Sequence, residues 1–147
     1  MKNMKMYLFA LLLMLIAVAS CSVSDPTKAR RWVMIGEGGG ITGAYTHFWL
    51  LPNGKIYRRE QTDSLYIHMN AMPGRVARRY FRELPDVFAG SSDKPLPDNI
   101  YKSIIWQTKE QQKTFTWLYP NQNNEKAEDF YNYLLREMYE YNPTATR

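Results

Sequence analysis

The chain predicts an α+β fold: an antiparallel sheet of about four strands, arranged as two hairpins, with two helices packed on one face in the order ββαββα. Three observations carry this. Two aromatic and β-branched runs meet at Pro52-Asn53-Gly54, a turn whose Gly54 can take positive φ. Two apolar stripes at helical spacing follow, one within residues 73–85 and one within 125–141. A second pair of β runs, Tyr101–Thr108 and Thr114–Tyr119, lies between those stripes. A sheet must bury at least one face and an amphipathic helix its stripe, so packing both helices on one side satisfies both.

The ordered domain is expected over residues 32–142. Trp32-Val33-Met34-Ile35 is a compact β-like run that stops at a glycine cluster, and Ala44–Leu51 resumes β character with an aromatic-rich strand. Lys55–Glu60 is its partner across the Asn53-Gly54 turn, and Ser64–Met69 is ambiguous, with a further short strand as one reading. Pro73 suits the first turn of a helix; Val76, Ala77, Tyr80, Phe81 and Leu84 form its apolar face, and Pro85 is expected to stop it. Residues 86–99, rich in Gly, Ser and Pro, read as a loop. The last helix has Asn124 as a cap and Glu125, Glu128 and Asp129 in its first turns, where the macrodipole favours acids. Its stripe is Ala127, Phe130, Leu134, Met138 and Tyr141, and Asn142-Pro143 ends it, leaving 143–147 as a tail.

Ahead of the domain, Met1–Met6 carries two lysines and no acid, and Tyr7–Ala19 is almost purely apolar. That run is too short to span a bilayer, which takes roughly 20 apolar residues. Val18-Ala19-Ser20-Cys21 follows, with the single cysteine of the chain at its end. An aliphatic residue, two small residues and then Cys resemble the lipobox of a bacterial lipoprotein signal. The resemblance implies cleavage after residue 20, lipid (palmitate among its acyl chains) on Cys21 and a tether over residues 21–31. It further implies a home in the bacterial cell envelope, with Ser22 permissive for the outer membrane. Removing the signal takes away Lys2 and Lys5 and no acid, lowering the formal charge of +5 by two. So small a surplus argues against nucleic acid as a partner. With Cys21 consumed by lipid, no disulfide is available, and stability must come from packing, to which eleven Tyr and four Trp are suited.

The stretch Gly38-Gly39-Gly40-Ile41-Thr42-Gly43 formally matches a dinucleotide-binding fingerprint, but that motif must open a helix. Here Tyr45-Thr46-His47-Phe48-Trp49 reads as a strand, so Gly38, Gly39, Gly40 and Gly43 are read as structural residues of a wide turn or bulge. The stretch Gly38–Gly43, the aromatic strand Tyr45–Leu51 and the Asn53-Gly54 turn together resemble small Bacteroidota-type lipoproteins of unassigned function that share a GGG-x-TG hairpin. The likeness covers about a fifth of the chain, with Ile41 standing where that pattern expects Phe. It implies lineage and fold without a mechanism.

Arg75, Arg78, Arg79 and Arg82 fall at i, i+3, i+4 and i+7, placing four guanidiniums on one face of the first helix, opposite its apolar stripe. Either this is a solvated face whose charges pair across the fold, or it contacts anionic lipid headgroups, acidic glycans or an acidic protein. Catalytic and metal-binding residues are not expected. His47 and His68 lie in β-like runs without a third ligand at recognisable spacing, no G-x-S-x-G occurs, and no pair of carboxylates stands out. No cofactor is called for. The expected role is a lipid-anchored, non-catalytic binding or accessory module held to the membrane through Cys21. Two alternatives stay open: a periplasmic immunity or inhibitor protein, and an envelope hydrolase.

Overall fold

The computed structural model describes residues 25–39, 43–60, 65–89, 100–118 and 125–142. The signal peptide, Cys21, Gly40, Asn124 and the 143–147 tail lie outside the described residues.

The class is α+β as expected, but the sheet has six strands instead of four. They are β1 (Trp32–Gly38), β2 (Tyr45–Leu50), β3 (Ile56–Glu60), β4 (Ile67–His68), β5 (Tyr101–Gln107) and β6 (Gln112–Leu118). Spatial order is β4-β3-β2-β1-β5-β6, and every neighbouring pair is antiparallel. β1 is therefore central, paired to β2 on one side and β5 on the other. Its continuous apolar run explains the position. Val33 and Ile35 enter the core under the helices, while Trp32 and Met34 are buried on the opposite face. A strand wet on one face would alternate instead. The ambiguous run before Pro73 resolves into β4, a two-residue edge strand pairing Tyr57 with His68.

Helix α1 (Gly74–Phe88) links β4 at one edge to β5 beyond β1, so it must cross the sheet; α2 (Glu125–Glu140) follows the opposite edge strand. Both pack on the same face, around fully buried Val33, Ile35, Leu50, Ile56, Leu84, Ile104 and Leu134. Tyr80 of α1 meets Phe130 of α2 edge to face at 5.6 Å.

The expectation that Pro85 ends α1 is corrected: the helix runs through it to Phe88. A proline inside a helix costs about 3 kcal/mol. The extra turn buries Val87 and Phe88, each contributing about 1.5–3 kcal/mol, and Phe88 reaches the rings of Trp106 (5.8 Å) and Phe115 (6.5 Å). Core burial outweighs the local penalty. At the other end of the helical layer, buried Asn142 donates to Met138 O (2.9 Å) and Asn70 O (3.2 Å) and accepts from Asn70 N. It thereby ties the end of α2 to the segment that enters α1.

The reading of residues 21–31 as tether is also corrected for its second half. Asp25 caps a 3-10 turn, Pro26–Lys28, accepting from Thr27 N at 2.9 Å and from the Thr27 hydroxyl at 2.6 Å. Pro26 is buried and Ala29 packs against the cluster of Trp32, Met34, Trp49, Leu51 and Tyr57. Apolar surface on the helix-free face of the sheet demands a cover, and this segment supplies part of it.

Candidate functional site

Three arginines of the expected stripe come together and one leaves. Arg75, Arg78 and Arg82, with Arg31, Pro52 and Phe81, line a cavity of about 400 Å³. All four guanidinium-bearing residues are exposed, and among the described residues none of the four is in an ion pair. The cavity's apolar wall is Phe81, whose ring carries Arg31 at 5.7 Å, and Pro52 of the β2–β3 turn.

This convergence follows from how α1 begins. Gly54 O accepts from Met72 N at 3.0 Å, seating the residues before α1 against the Pro52-Asn53-Gly54 turn. Pro73 O then receives Val76 N (2.9 Å) and Ala77 N (3.1 Å), starting the helix beside the turn. Because β1 starts beside the end of β2, Arg31 arrives at the same pole. Sequence reasoning placed Arg31 in the tether and missed it. The available signal was the basic pair Arg30-Arg31 abutting the first strand.

Arg79 faces elsewhere. It pairs with Glu137 of α2 at 3.0 Å (side chains 50% and 22% exposed), bonds the Tyr80 hydroxyl at 3.4 Å, and lies over the Tyr80 ring at 5.1 Å. Burial, aided by Glu137 and opposed by Arg79, pushes the Tyr80 hydroxyl up to about 12, so it stays protonated. Arg79 thus joins the two helices, as in the solvated-face reading, while its three neighbours line the cavity.

On the helix-free face, rings form a connected path. Tyr45 stacks on His47 (4.7 Å), His47 meets Trp49 (5.8 Å), and Trp49 meets Tyr66 (4.9 Å), over which Arg59 lies at 5.4 Å. Burial first, and the Arg59 charge second, hold the His47 imidazole below its ordinary range, keeping it neutral at pH 7. Gly36 is the reason the ring fits. A Cβ there would overlap His47 Cδ2 and stand 2.9 Å from Thr46 O. Gly36→Val is therefore expected to destabilise by about 1–3 kcal/mol, the usual range for overpacking. Urea denaturation checks this, and an unchanged midpoint would mean the ring moves aside freely.

Of the glycines read as structural, Gly39 (φ 99°) and Gly43 (φ 60°) hold the left-handed backbone region at the β1–β2 connection. Gly38 lies inside β1, where an added Cβ would stand 3.0 Å from Tyr45 Cβ and 3.1 Å from the Tyr101 hydroxyl. Its role is close approach.

Ser103 flanks Gly36 on the β5 side as His47 does on the β2 side. The Ser103 hydroxyl donates to Gly36 O at 3.4 Å, and no hydrogen bond joins it to His47 among the described residues. His68 stands against the Tyr57 ring at 5.1 Å. Among the described residues no group of three His, Cys, Asp or Glu side chains is placed to hold a metal ion. The arrangement with definable chemistry is the arginine-lined cavity: fixed positive charge, donor-only hydrogen bonding and one apolar wall, suited to an oxyanion. Compared with protein-family models and with curated proteins, the chain matches none.

Proposed function

We propose that the chain is a lipid-anchored lipoprotein of the bacterial cell envelope that acts as a non-catalytic binding module for an anionic partner. The observation that carries the binding role is the cavity edged by Arg31, Arg75, Arg78 and Arg82, four cations facing one space without an acid paired to any of them among the described residues. Like charges at helical i, i+3 and i+4 spacing repel by a few tenths of a kcal/mol per pair. Their concentration is a cost to the free protein that an anion would offset. The lipid anchor rests on the lipobox-like Val18-Ala19-Ser20-Cys21 after its apolar run.

Cys21→Ser is expected to move the protein from the membrane fraction to the soluble one, because acyl chains hold it at about 0.8 kcal/mol per buried methylene. Retention of the variant in washed membranes would sink the anchor.

A second reading, an inhibitor that occludes a toxin or lytic enzyme, is favoured by the edge at β4. Leu65 (76% exposed) and Ile67 (51%) present apolar side chains there, on a strand whose outer side no other strand pairs among the described residues. Affinity capture of the wild type and of Ile67→Lys separates the two: loss of a protein partner with Ile67→Lys alone would favour the inhibitor.

A further inference from the structure

The packed Asp25–Arg31 segment shortens the reach between anchor and domain. Only four peptide links separate Cys21 from Asp25, about 15 Å at full extension, and Arg31 lies within about 35 Å of the anchor along the chain. The pole of the sheet that this segment enters is basic. Lys28, Arg30 and Arg31 precede β1. Arg30 and Lys109 line a second cavity of about 410 Å³ with Thr27 and Thr108, and Arg75, Arg78 and Arg82 line the first. Against them stand, among the described residues, Asp25, whose carboxylate is engaged by Thr27, Glu110 in the β5–β6 turn, and Glu83 and Asp86 on α1.

We propose that Arg31, Arg75, Arg78 and Arg82 form a phosphate-binding pocket that grips the headgroup of an anionic phospholipid in the leaflet carrying the Cys21 anchor. This rests on the lipid-anchored reading and adds the ligand and the orientation: the basic pole faces the bilayer. Three features select a headgroup phosphate. Guanidiniums present paired N–H donors that match tetrahedral oxyanions, and these come from two separate chain segments around one space. A cavity of about 400 Å³ accommodates a headgroup and is too small for a folded partner's surface. Phe81 and Pro52 offer an apolar wall for the glycerol carbons beside the phosphate. The short reach from Cys21 keeps the pocket among such headgroups at high local concentration, so each contact can be weak and still be occupied.

The test is arginine-selective labelling with phenylglyoxal of the processed lipoprotein, reconstituted into vesicles and read residue by residue by mass spectrometry. In phosphatidylcholine vesicles containing phosphatidylglycerol, labelling of Arg31, Arg75, Arg78 and Arg82 is expected to fall at least about five-fold relative to phosphatidylcholine alone, the effect of one basic side chain at an anionic surface. The protection should fade at high salt. Arg136, exposed on α2 and paired with Glu140 at 3.8 Å, is the internal control and should not change. In R75Q/R78Q/R82Q, whose exposed substitutions leave the core untouched, the protection of Arg31 should disappear. Equal labelling in the two vesicles would overturn the proposal. Equal protection by inorganic phosphate in neutral detergent would overturn the lipid as source and identify a soluble phosphate as ligand. The mass of the N-terminal peptide in the same sample reports whether Cys21 carries lipid, so a failed anchor registers separately from a failed pocket.

Discussion

Gly54→Val is expected to lower the unfolding free energy by about 3 kcal/mol, adding the cost of a branched residue in a forbidden backbone region to that of overpacking. Gly54 has φ +92°, and a Cβ there would run into Met72 O, a backbone atom with no flexible end to move away. The site is crowded because it closes two structures at once. Gly54 N donates to Leu51 O (2.9 Å) within the turn, and Gly54 O accepts from Met72 N (3.0 Å) at the approach to α1. Displacement therefore loosens the β2–β3 hairpin and the start of the helix together. For a domain of this size the melting temperature should fall by roughly 10 °C. Circular dichroism melts give the answer; a shift of only a degree or two would mean that the turn and the helix start are not coupled. Because Pro52 belongs to the same turn, the variant should also blunt protection at Arg75 and Arg78.

Glu128→Ala is the second large effect, expected to cost about 3 kcal/mol because it takes the paired carboxylate away from a nearly buried cation, which keeps the neutral Asn132 Oδ1 at 3.2 Å. Lys102 is 7% exposed and pairs with Glu128 across β5 and α2, while its ammonium sits 4.7 Å from the Tyr131 ring centroid. The other Glu128 oxygen accepts from Trp117 Nε1 at 2.7 Å, so one substitution removes partners from both groups. Burial by itself would raise the Glu128 carboxyl. The hydrogen bonds from Lys102 and Trp117, the Lys102 charge and the Asn132 amide together outweigh burial and hold it below the ordinary 4.5. A depressed carboxylate contributes stability that is present above the unfolded value and lost as pH falls through the folded one. Wild-type stability should therefore decline on acidification from about pH 4.5 downward, and Glu128→Gln should flatten that part of the profile. Urea midpoints across this pH range check the sign; a wild-type profile already flat there would refute the ion pair's role.

Much of this fold is local chemistry. The Asn53-Gly54 turn, the stripe Ala77, Tyr80, Phe81 and Leu84, and the stripe Ala127, Phe130, Leu134 and Met138 were legible because turn residues and helical periodicity act over a few positions. Pro85 misled for the same reason: its local penalty is real, and only the rings of Trp106 and Phe115, distant in sequence, reveal what offsets it. β4 was ambiguous because a two-residue edge strand has no periodicity to detect. The Lys102–Glu128 pair went unanticipated because nothing along the chain distinguishes a lysine that will be buried from one that will be solvated.

The arginine-lined pole divides in the same way. Spacing along α1 determined that four arginines would fall within two turns on the side away from its apolar stripe, and the lipobox-like end of the apolar run determined where an anchor would be expected. Which arginines line one cavity was decided only in three dimensions. α2 draws Arg79 to Glu137, while the central place of β1 carries Arg31 to the other three. Helical periodicity and turn chemistry are set by neighbours in sequence. The pairing of charges and the closing of a cavity depend on which strand lies at the middle of the sheet, and that is settled by burial of the whole core at once.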